Sequence, residues 1–302
     1  MKISVIIPYC QRINALRISL WNLKNRQNRT PDEIIVVDDD NNTQNIDALQ
    51  NTYQFIHVKT DLKIDGKFRA GHARNIGANI AKNQILVFQD QDMVLGKKYL
   101  QIVEEYYTKR NHIATGFFHD IDKEFFKLPV EEIFKYVKEK DTFMNVKMKG
   151  QKDNHIAEIV EWLPWVTESR QFAILKSTFL VCGGFDEQFE GWGLEDTEFF
   201  YRAKKEFNVR CHKVHGLFSL HLEHEVDPVY MIESMKENAE KFIKKHPESE
   251  KKLGQLWKVW NVFGKNKDLD RTYKVVKKIR QQSGVDNFGK MPSMRYFGAW
   301  RY

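Results

Sequence analysis

Three short stretches combine residue types and spacings that could do chemistry. Asp90-Gln91-Asp92 sets two carboxylates one residue apart, a hard-oxygen pair suited to Mg2+ or Mn2+, particularly a cation shared with phosphate oxygens. Two acids in a loop are common without any metal, so the pair gains weight only beside further ligands. His221 and His224 offer imidazoles at i and i+3, which suit Mn2+ better than Mg2+. Taken singly, each histidine reads as a strand or turn residue satisfied by hydrogen bonds. Glu195-Asp196 follows Gly191-Trp192-Gly193 and opens a helical pattern with apolar residues at Phe199, Phe200, Ala203 and Phe207. Acids in a first helical turn suit the positive end of the dipole, and an acidic N-cap is the plain reading of a lone Glu-Asp. The glycines alter that reading, because they let backbone pass close to a ligand, and Trp192 between them presents a flat apolar face. A flat aromatic beside two carboxylates can hold a sugar and deprotonate its hydroxyl.

The elements that must position these residues are legible as apolar runs. Ile3 to Ile7 is a β-branched strand closed by Pro8, and Ile34 to Val37 is a second buried strand running into Asp38-Asp39-Asp40. Asn14 is placed to cap a helix with Leu16, Leu20 and Leu23 at helical spacing. Phe55 to Val58 is a third strand. Gly71 to Lys82 predicts a helix with Ala73, Ile76 and Ile80 inward, followed by the strand Ile85 to Phe88. Short apolar strands alternating with amphipathic helices predict a mostly parallel, Rossmann-like α/β sheet, in which ligands gather at the carboxyl ends of the strands. Both acidic clusters fall at such ends. Asp38, Asp39 and Asp40 would ordinarily be a solvated turn, but a carboxylate there could accept the ring N–H of a pyrimidine. Arg74 could contact a base or a diphosphate, or form a surface ion pair of little consequence.

From Phe117 to Glu161 the pattern weakens into a charged, aromatic-rich stretch, with a helix expected over Val130 to Lys138 and a polar loop over Lys149 to Asn154. Trp162 and Trp165 read as core rather than as a ligand platform. Phe172 to Leu175 is a strand, and so is Val209 to Val214, with Gly216 separating the latter from the histidine stretch Leu220 to Glu225.

The chain has 302 residues, enough for one large domain with an appendage, and 42% apolar content supports a full core. No apolar run approaches the length of a spanning helix, and the N-terminus lacks the regions of a signal peptide. Cys10, Cys182 and Cys211, odd in number and widely spaced, read as reduced thiols in a cytoplasmic protein. The net charge of +7 is uneven: residues 230–302 carry 17 Lys and Arg against 8 Asp and Glu, while residues 1–229 carry 31 against 33. A nearly neutral body with a basic tail implies an anionic partner for the tail, such as a membrane surface, a nucleic acid or a phosphorylated carrier. In that tail Trp257, Trp260 and Phe263 mark an apolar patch, and Tyr273, Val276 and Ile279 a helical stripe.

Taken together, Ser-Val-Ile-Ile-Pro-Tyr at the start, Ile-Ile-Val-Val-Asp-Asp, Gly-His-Ala-Arg-Asn-Ile-Gly, Asp-Gln-Asp and Gly-Gly-Phe-Asp-Glu…Gly-Trp-Gly-Leu-Glu-Asp resemble the family 2 glycosyltransferases of GT-A fold. The resemblance covers about residues 2 to 226. The last motif is similar to the acceptor-side segment of β1,4-galactosyltransferases, chondroitin-polymerase-type domains and polypeptide N-acetylgalactosaminyltransferases. It implies a catalytic domain over 1–226, a basic helical extension over 227–302, a UDP-sugar donor and a divalent metal, commonly Mn2+ or else Mg2+. By that resemblance Pro8, Tyr9, Arg12, Asp38, Asp39, Arg74, Asp90 and Gln91 line the UDP-sugar site, with Asp39 or Asp38 facing uracil. Asp92, His221 and His224 hold the metal. Trp192 and Gly193 shape the acceptor site, Glu195 holds acceptor hydroxyls and Asp196 is the general base. Inversion follows from one base and a single displacement. Two departures stand out: Asp40-Asn41-Asn42 replaces the usual Asp-Gly-Ser, and Leu194 stands where relatives often have glycine.

The implied function is transfer of Gal, GalNAc, Glc or GlcNAc to a glycan or lipid-linked saccharide in surface polysaccharide synthesis, by a cytoplasmic protein whose basic tail meets membrane or a partner subunit. A retaining transfer from UDP-GalNAc is the alternative within the family. Outside it stand a non-catalytic sugar-binding protein and a nucleic-acid-binding protein. The acidic strand ends and the lack of any nucleic-acid motif speak against nucleic acid.

Overall fold

A computed structural model of the chain describes residues 1–40, 46–61, 67–121, 132–133, 135, 159–162, 169–224 and 228–250. The expectations for the helix over Val130 to Lys138, the loop over Lys149 to Asn154, the side chains of Trp162 and Trp165, and the tail beyond 250 lie largely or wholly outside these residues. The chain divides into two compact units, one of Met1–Glu187 with Glu195–Glu225 and one of Gln188–Leu194 with Val226–Tyr302.

The first unit is built on a nine-stranded sheet. Its first half is the expected parallel arrangement: β1 (Ile3–Tyr9) lies between β2 (Glu33–Asp38) and β4 (Ile85–Gln89), and β3 (Ile56–Lys59) pairs with β2. Period-two alternation sends Ile3, Val5 and Ile7 into one core with helix α1 (Ile13–Asn25) and helix α4 (Tyr99–Tyr107). Ile6, Ile35 and Val37 face the other core, with α3 (Ala70–Ile80), α5 (Lys176–Val181) and α6 (Glu195–Phe207). Helix α2 (Ile46–Tyr53) lies between β2 and β3 in the chain. Burial on both faces explains the continuous apolar runs of these strands.

Several local expectations shift. Pro8 does not close β1: the strand continues through it to Tyr9, and Pro8 pairs with Val37 across the ladder. Asn14 does not cap α1. Arg12 takes the cap position in the left-handed region (φ 56), next to a left-handed Gln11, so the chain turns sharply out of β1. Ile80 and Phe207, each 38% exposed, lie at the fraying ends of α3 and α6 rather than inward. In α3 Ala73 is buried and Ile76 packs partly buried against the same core, as expected, and Ala70, Gly71, Arg74, Gly77 and Ala78 complete the buried face.

Beyond β4 the sheet is mixed. β8 (Gln171–Leu175) runs antiparallel to β4 and to β6 (Ile113–Ile121), and β6 runs parallel to β9 (Cys211–Leu222). β5 (Met93–Leu95) and β7 (Ile159–Trp162) both pair antiparallel with β9. β9 is one long strand passing straight through Gly216, not the separate strand and histidine stretch expected. The β6–β9 register shifts between Thr115 and Phe117, where β9 advances from Lys213 to Phe218, so the extra residues bulge from β9 opposite Gly116. There the backbones approach so closely that a Cβ on Gly116 would stand 2.3 Å from the Leu217 carbonyl oxygen. Past the bulge, Asp120 lies opposite His221, and from the far side Met93 of β5 also lies opposite His221.

In the second unit, helix α7 (Pro228–Lys245) supports the loop 188–194. Asn238, 1% exposed, donates from Nδ2 to the carbonyls of Glu190 (2.9 Å) and Gly193 (2.8 Å). Lys241 donates to the Gln188 carbonyl, and Phe189 meets the Phe242 ring edge-on. Gly191 and Gly193 have φ of 74 and 92, and a Cβ on either would collide with Ser234 or Met235 of α7. Both positions therefore require glycine on backbone and packing grounds. The three cysteines are free thiols. Among the described residues no helix is long and apolar enough to cross a membrane.

Gly116→Ala puts a methyl group against backbone that cannot yield. It is expected to lower stability by about 1–3 kcal/mol, read as a fall in the denaturant midpoint. An unchanged midpoint would mean that the β6–β9 approach is looser than described.

Candidate active site

The carboxyl ends of β1, β2 and β4 bring the charged residues together. The Asp90-Gln91-Asp92 turn follows β4 and leads at once into β5, whose pairing with β9 places Asp92 next to the end of β9. The Asp92 carbonyl accepts the Leu222 N–H at 2.8 Å. The Asp92 carboxylate, 5% exposed, then faces three cationic or imidazole groups through Oδ2: Arg12 Nη1 at 2.7 Å, His224 Nε2 at 3.4 Å and His221 Nε2 at 3.8 Å. Burial alone would raise its pKa, but His221, Arg12, His224 and Arg170 pull it down to about 2. Asp92, His221 and His224 each present one ligand atom, all within 4.8 Å of one another. One carboxylate oxygen and two imidazole nitrogens converging at such distances could hold a metal ion. The left-handed cap is what aims the Arg12 guanidinium at the same oxygen.

Behind the histidine lies a layer that no sequence signal marked. His221 Nδ1 is 2.8 Å from Asp120 Oδ1 and 3.0 Å from Arg170 Nη1. The Arg170 guanidinium stacks over the Phe118 ring at 4.7 Å, and the Arg170 carbonyl accepts the Asp90 N–H. Arg170 therefore touches both halves of the site, from a turn just before β8 that carries no motif.

Arg74 is not at the surface. Its side chain is 3% exposed, donating to Asp90 Oδ1 at 2.7 Å and Glu195 Oε1 at 3.3 Å, with the guanidinium 5.3 Å from the Phe185 ring centroid. The small residues of α3 bring this helix close to the sheet and turn Arg74 inward. Its position is thus an internal clamp between two carboxylates, not the surface ion pair that was one reading. Glu195 is pushed up to about 7, first by burial and then by Asp196 beside it, with Arg74 opposing. Asp90 is raised too, by burial, against the pull of Arg74. Asp196 is held by backbone: Oδ1 accepts the Thr197 N–H at 2.6 Å and Oδ2 the Ser169 N–H at 3.1 Å. The preceding turn is fixed by Arg202, which pairs with Glu198 and donates to the carbonyls of Cys182 and Gly184.

The residues expected around the nucleotide are close together, and several are already engaged. Both oxygens of Asp39 are used by Arg69, through its backbone N–H at 2.8 Å and its guanidinium at 2.8 Å, with Thr60 Oγ1 adding a bond at 2.7 Å. Asp38 accepts the Asp40 N–H and faces His57 Nε2 at 3.2 Å. Arg69, absent from the sequence expectations, is thus the organiser of the second acidic cluster. Gln91 clips the turn to β1, donating to the Cys10 carbonyl and accepting the Cys10 N–H. Tyr9 is buried in β1, and its hydroxyl pKa is raised by burial and by Asp38. Trp192 is half-buried within the loop that α7 supports.

Comparison with known proteins bears on the family and the fold. Residues 4–163 match the model of glycosyl transferase family 2, and residues 171–225 match a model described as the N-terminal domain of galactosyltransferase. Validoxylamine A glucosyltransferase of Streptomyces hygroscopicus subsp. jinggangensis is 26% identical over 87% of this chain and 65% of its own length. Chondroitin synthase of Escherichia coli is 26% identical over 73% of this chain and 34% of its own. The chain thus spans only part of the curated relatives it matches. Among solved structures, S. aureus TarS in complex with UDP-GlcNAc aligns with a TM-score of 0.53 at 17% identity, covering 80% of this chain and 67% of the other. GalNAc-T7 with UDP, GalNAc and Mn2+ aligns at 0.54 and 17%, covering 82% and 51%. These likenesses establish a GT-A fold.

The raised Glu195 pKa has a consequence for stability. Above its ordinary value of 4.5, the unfolded chain has released a proton that folded Glu195 keeps until about pH 7. The stability it costs therefore grows as pH rises from 4.5 to 7 and is constant above that. Glu195→Gln removes this cost. Its Tm relative to the unsubstituted protein is expected to climb by several degrees between pH 5 and pH 8. A Tm difference independent of pH would contradict the burial of this carboxyl.

Proposed function

The chain belongs to glycosyl transferase family 2, and from that premise we propose that it moves a sugar (Gal, GalNAc, Glc or GlcNAc) from a UDP-sugar to a hydroxyl of a glycan acceptor, with a divalent cation and inversion at the anomeric carbon. The observation that carries the reading is the convergence of Asp92, His221 and His224 on one side of a buried network whose Arg74 reaches from Asp90 to Glu195. The partial span of its relatives keeps donor, acceptor and partners within this proposal.

Asp92, His221 and His224 would hold the cation, which when bound supplies positive charge to a diphosphate leaving group. Asp90, fixed by Arg74, faces the donor side, and Arg12 adds a cation to the same side. At the other end of Arg74, Glu195 holds the acceptor hydroxyl. Asp196 takes the proton of that hydroxyl as its oxygen bonds to the anomeric carbon and the bond from that carbon to the diphosphate breaks. The Ser169 and Thr197 N–H groups keep the Asp196 carboxylate in one orientation. Trp192 gives the acceptor sugar an apolar face to stack on. The Glu195 pKa of about 7 favours a second reading, in which Glu195 is the base and Asp196 orients it.

Residues 1–226 form the catalytic domain in this proposal. The basic extension over 227–302 is read, on charge, as a peripheral contact to an anionic membrane at the cytoplasmic face. Recovery of the purified protein with phosphatidylglycerol vesicles on flotation, and not with neutral ones, is the expected result. No recovery with either removes the membrane reading.

UDP release with Mn2+, offered UDP-galactose, UDP-N-acetylgalactosamine, UDP-glucose and UDP-N-acetylglucosamine with simple sugar acceptors, is expected with one donor and lost on chelation. Asp92→Ala and Asp196→Ala should each cost about 100-fold or more. If Glu195→Gln instead abolishes turnover together with an acid limb near pH 7, while Asp196→Asn retains it, the base is Glu195. Silence with every donor, together with no UDP binding by calorimetry, would sink the transferase reading.

A further inference from the structure

We infer that Asp120 fixes His221 in the tautomer that can ligate a cation, against competition from Arg170. The inference rests on the metal reading above and concerns a residue outside the ligand set. A neutral imidazole carries one N–H and one lone pair. His221 Nδ1 faces an acceptor, Asp120 Oδ1 at 2.8 Å, and a donor, Arg170 Nη1 at 3.0 Å. It can satisfy only one of them, and the choice decides what Nε2 presents to Asp92 and His224.

With the proton on Nε2, Nδ1 accepts from Arg170, and a carboxylate oxygen is left 2.8 Å from a nitrogen whose lone pair is already taken by that donor. Nε2 then points an N–H, not a lone pair, into the cluster with Asp92. With the proton on Nδ1, His221 donates to Asp120 in a charge-assisted bond, and the Nε2 lone pair faces the cluster. Arg170 then needs only a small shift to pair with Asp120, whose Oδ1 is 3.7 Å away. The second arrangement gives the 2.8 Å contact a donor and an acceptor with Arg170 as a counter-charge beside them, whereas the first sets a buried carboxylate oxygen against a nitrogen lone pair. Geometry keeps the contest local. The Asp120 side chain is 2% exposed and sits opposite His221 in the β6–β9 ladder, while Arg170 is held over the Phe118 ring. Asp120 is therefore a positioning residue: it acts on the cation through His221. Carboxylates that orient a ligating imidazole in this way commonly change metal affinity 10–100-fold, as an order of magnitude, when removed.

The test is Mn2+ affinity of the full chain, with and without UDP, read from the free Mn2+ signal in electron paramagnetic resonance. Asp120→Asn keeps the shape and removes the charge, and is expected to weaken Mn2+ binding by about 10-fold or more. Equal binding within about twofold overturns the inference alone; no Mn2+ binding by the unsubstituted protein overturns it together with the metal reading. Should the variant fail to fold, the unsubstituted protein still decides. Its histidine ring 15N–1H correlations, assigned for His221 with His221→Gln, are expected to give the Nδ1–H tautomer in the metal-free state. An Nε2–H tautomer there refutes the inference, and a merely structural Asp120 would not set this signature.

Discussion

A carboxylate taken out of water must find a cation or a set of N–H donors, and this chain gathers Asp38, Asp39, Asp92 and Asp196 where each is almost fully buried. Asp90 and Glu195 lie close beside them. Most of the architecture at the carboxyl ends of the strands answers that demand. Arg74 serves Asp90 and Glu195, Arg69 serves Asp39, and Arg12 serves Asp92, while Arg170 stands beside Asp120. Asp196 relies on backbone donors instead. The result is a site whose acids differ in character through their surroundings, with Asp92 held near 2 and Glu195 near 7.

The device that makes this possible is β9. It is the strand on which the two halves of the site meet, because β5 delivers the Asp-Gln-Asp turn to one edge and β6 delivers Asp120 to the other. A one-residue slip in the β6–β9 ladder would turn Asp120 to the opposite face. The register shift opposite Gly116 therefore contributes to the pairing that sets Asp120 against His221.

The parallel half of the sheet was legible because its strands are buried on both faces and read as unbroken β-branched runs. Asp90, Asp92, Glu195 and Asp196 stood out because their spacing is local. The rest was hidden for a physical reason: it depends on partners distant in sequence. Ile113-Ala-Thr-Gly-Phe-Phe-His-Asp-Ile121 has a glycine and no clean alternation, so neither strand β6 nor the role of Asp120 could be read from it. Arg170 and Arg69 carry no motif at all, and their functions come from what crosses them in space. Arg74 was marked by resemblance, but its inward direction follows from how closely the small residues of α3 let that helix approach the sheet.

The anchoring of loop 188–194 by Asn238 bears on how such a protein can change. The segment that presents Trp192 takes its shape from carbonyls bound by one buried amide about 45 residues downstream, and from two glycines matched to Ser234 and Met235. Loop and helix thus form a single heritable part, separated in the gene but joined in the fold. A recombinant that exchanges one without the other breaks a lock-and-key fit inside its own unit, so any drift in the shape of this loop has to carry both pieces together.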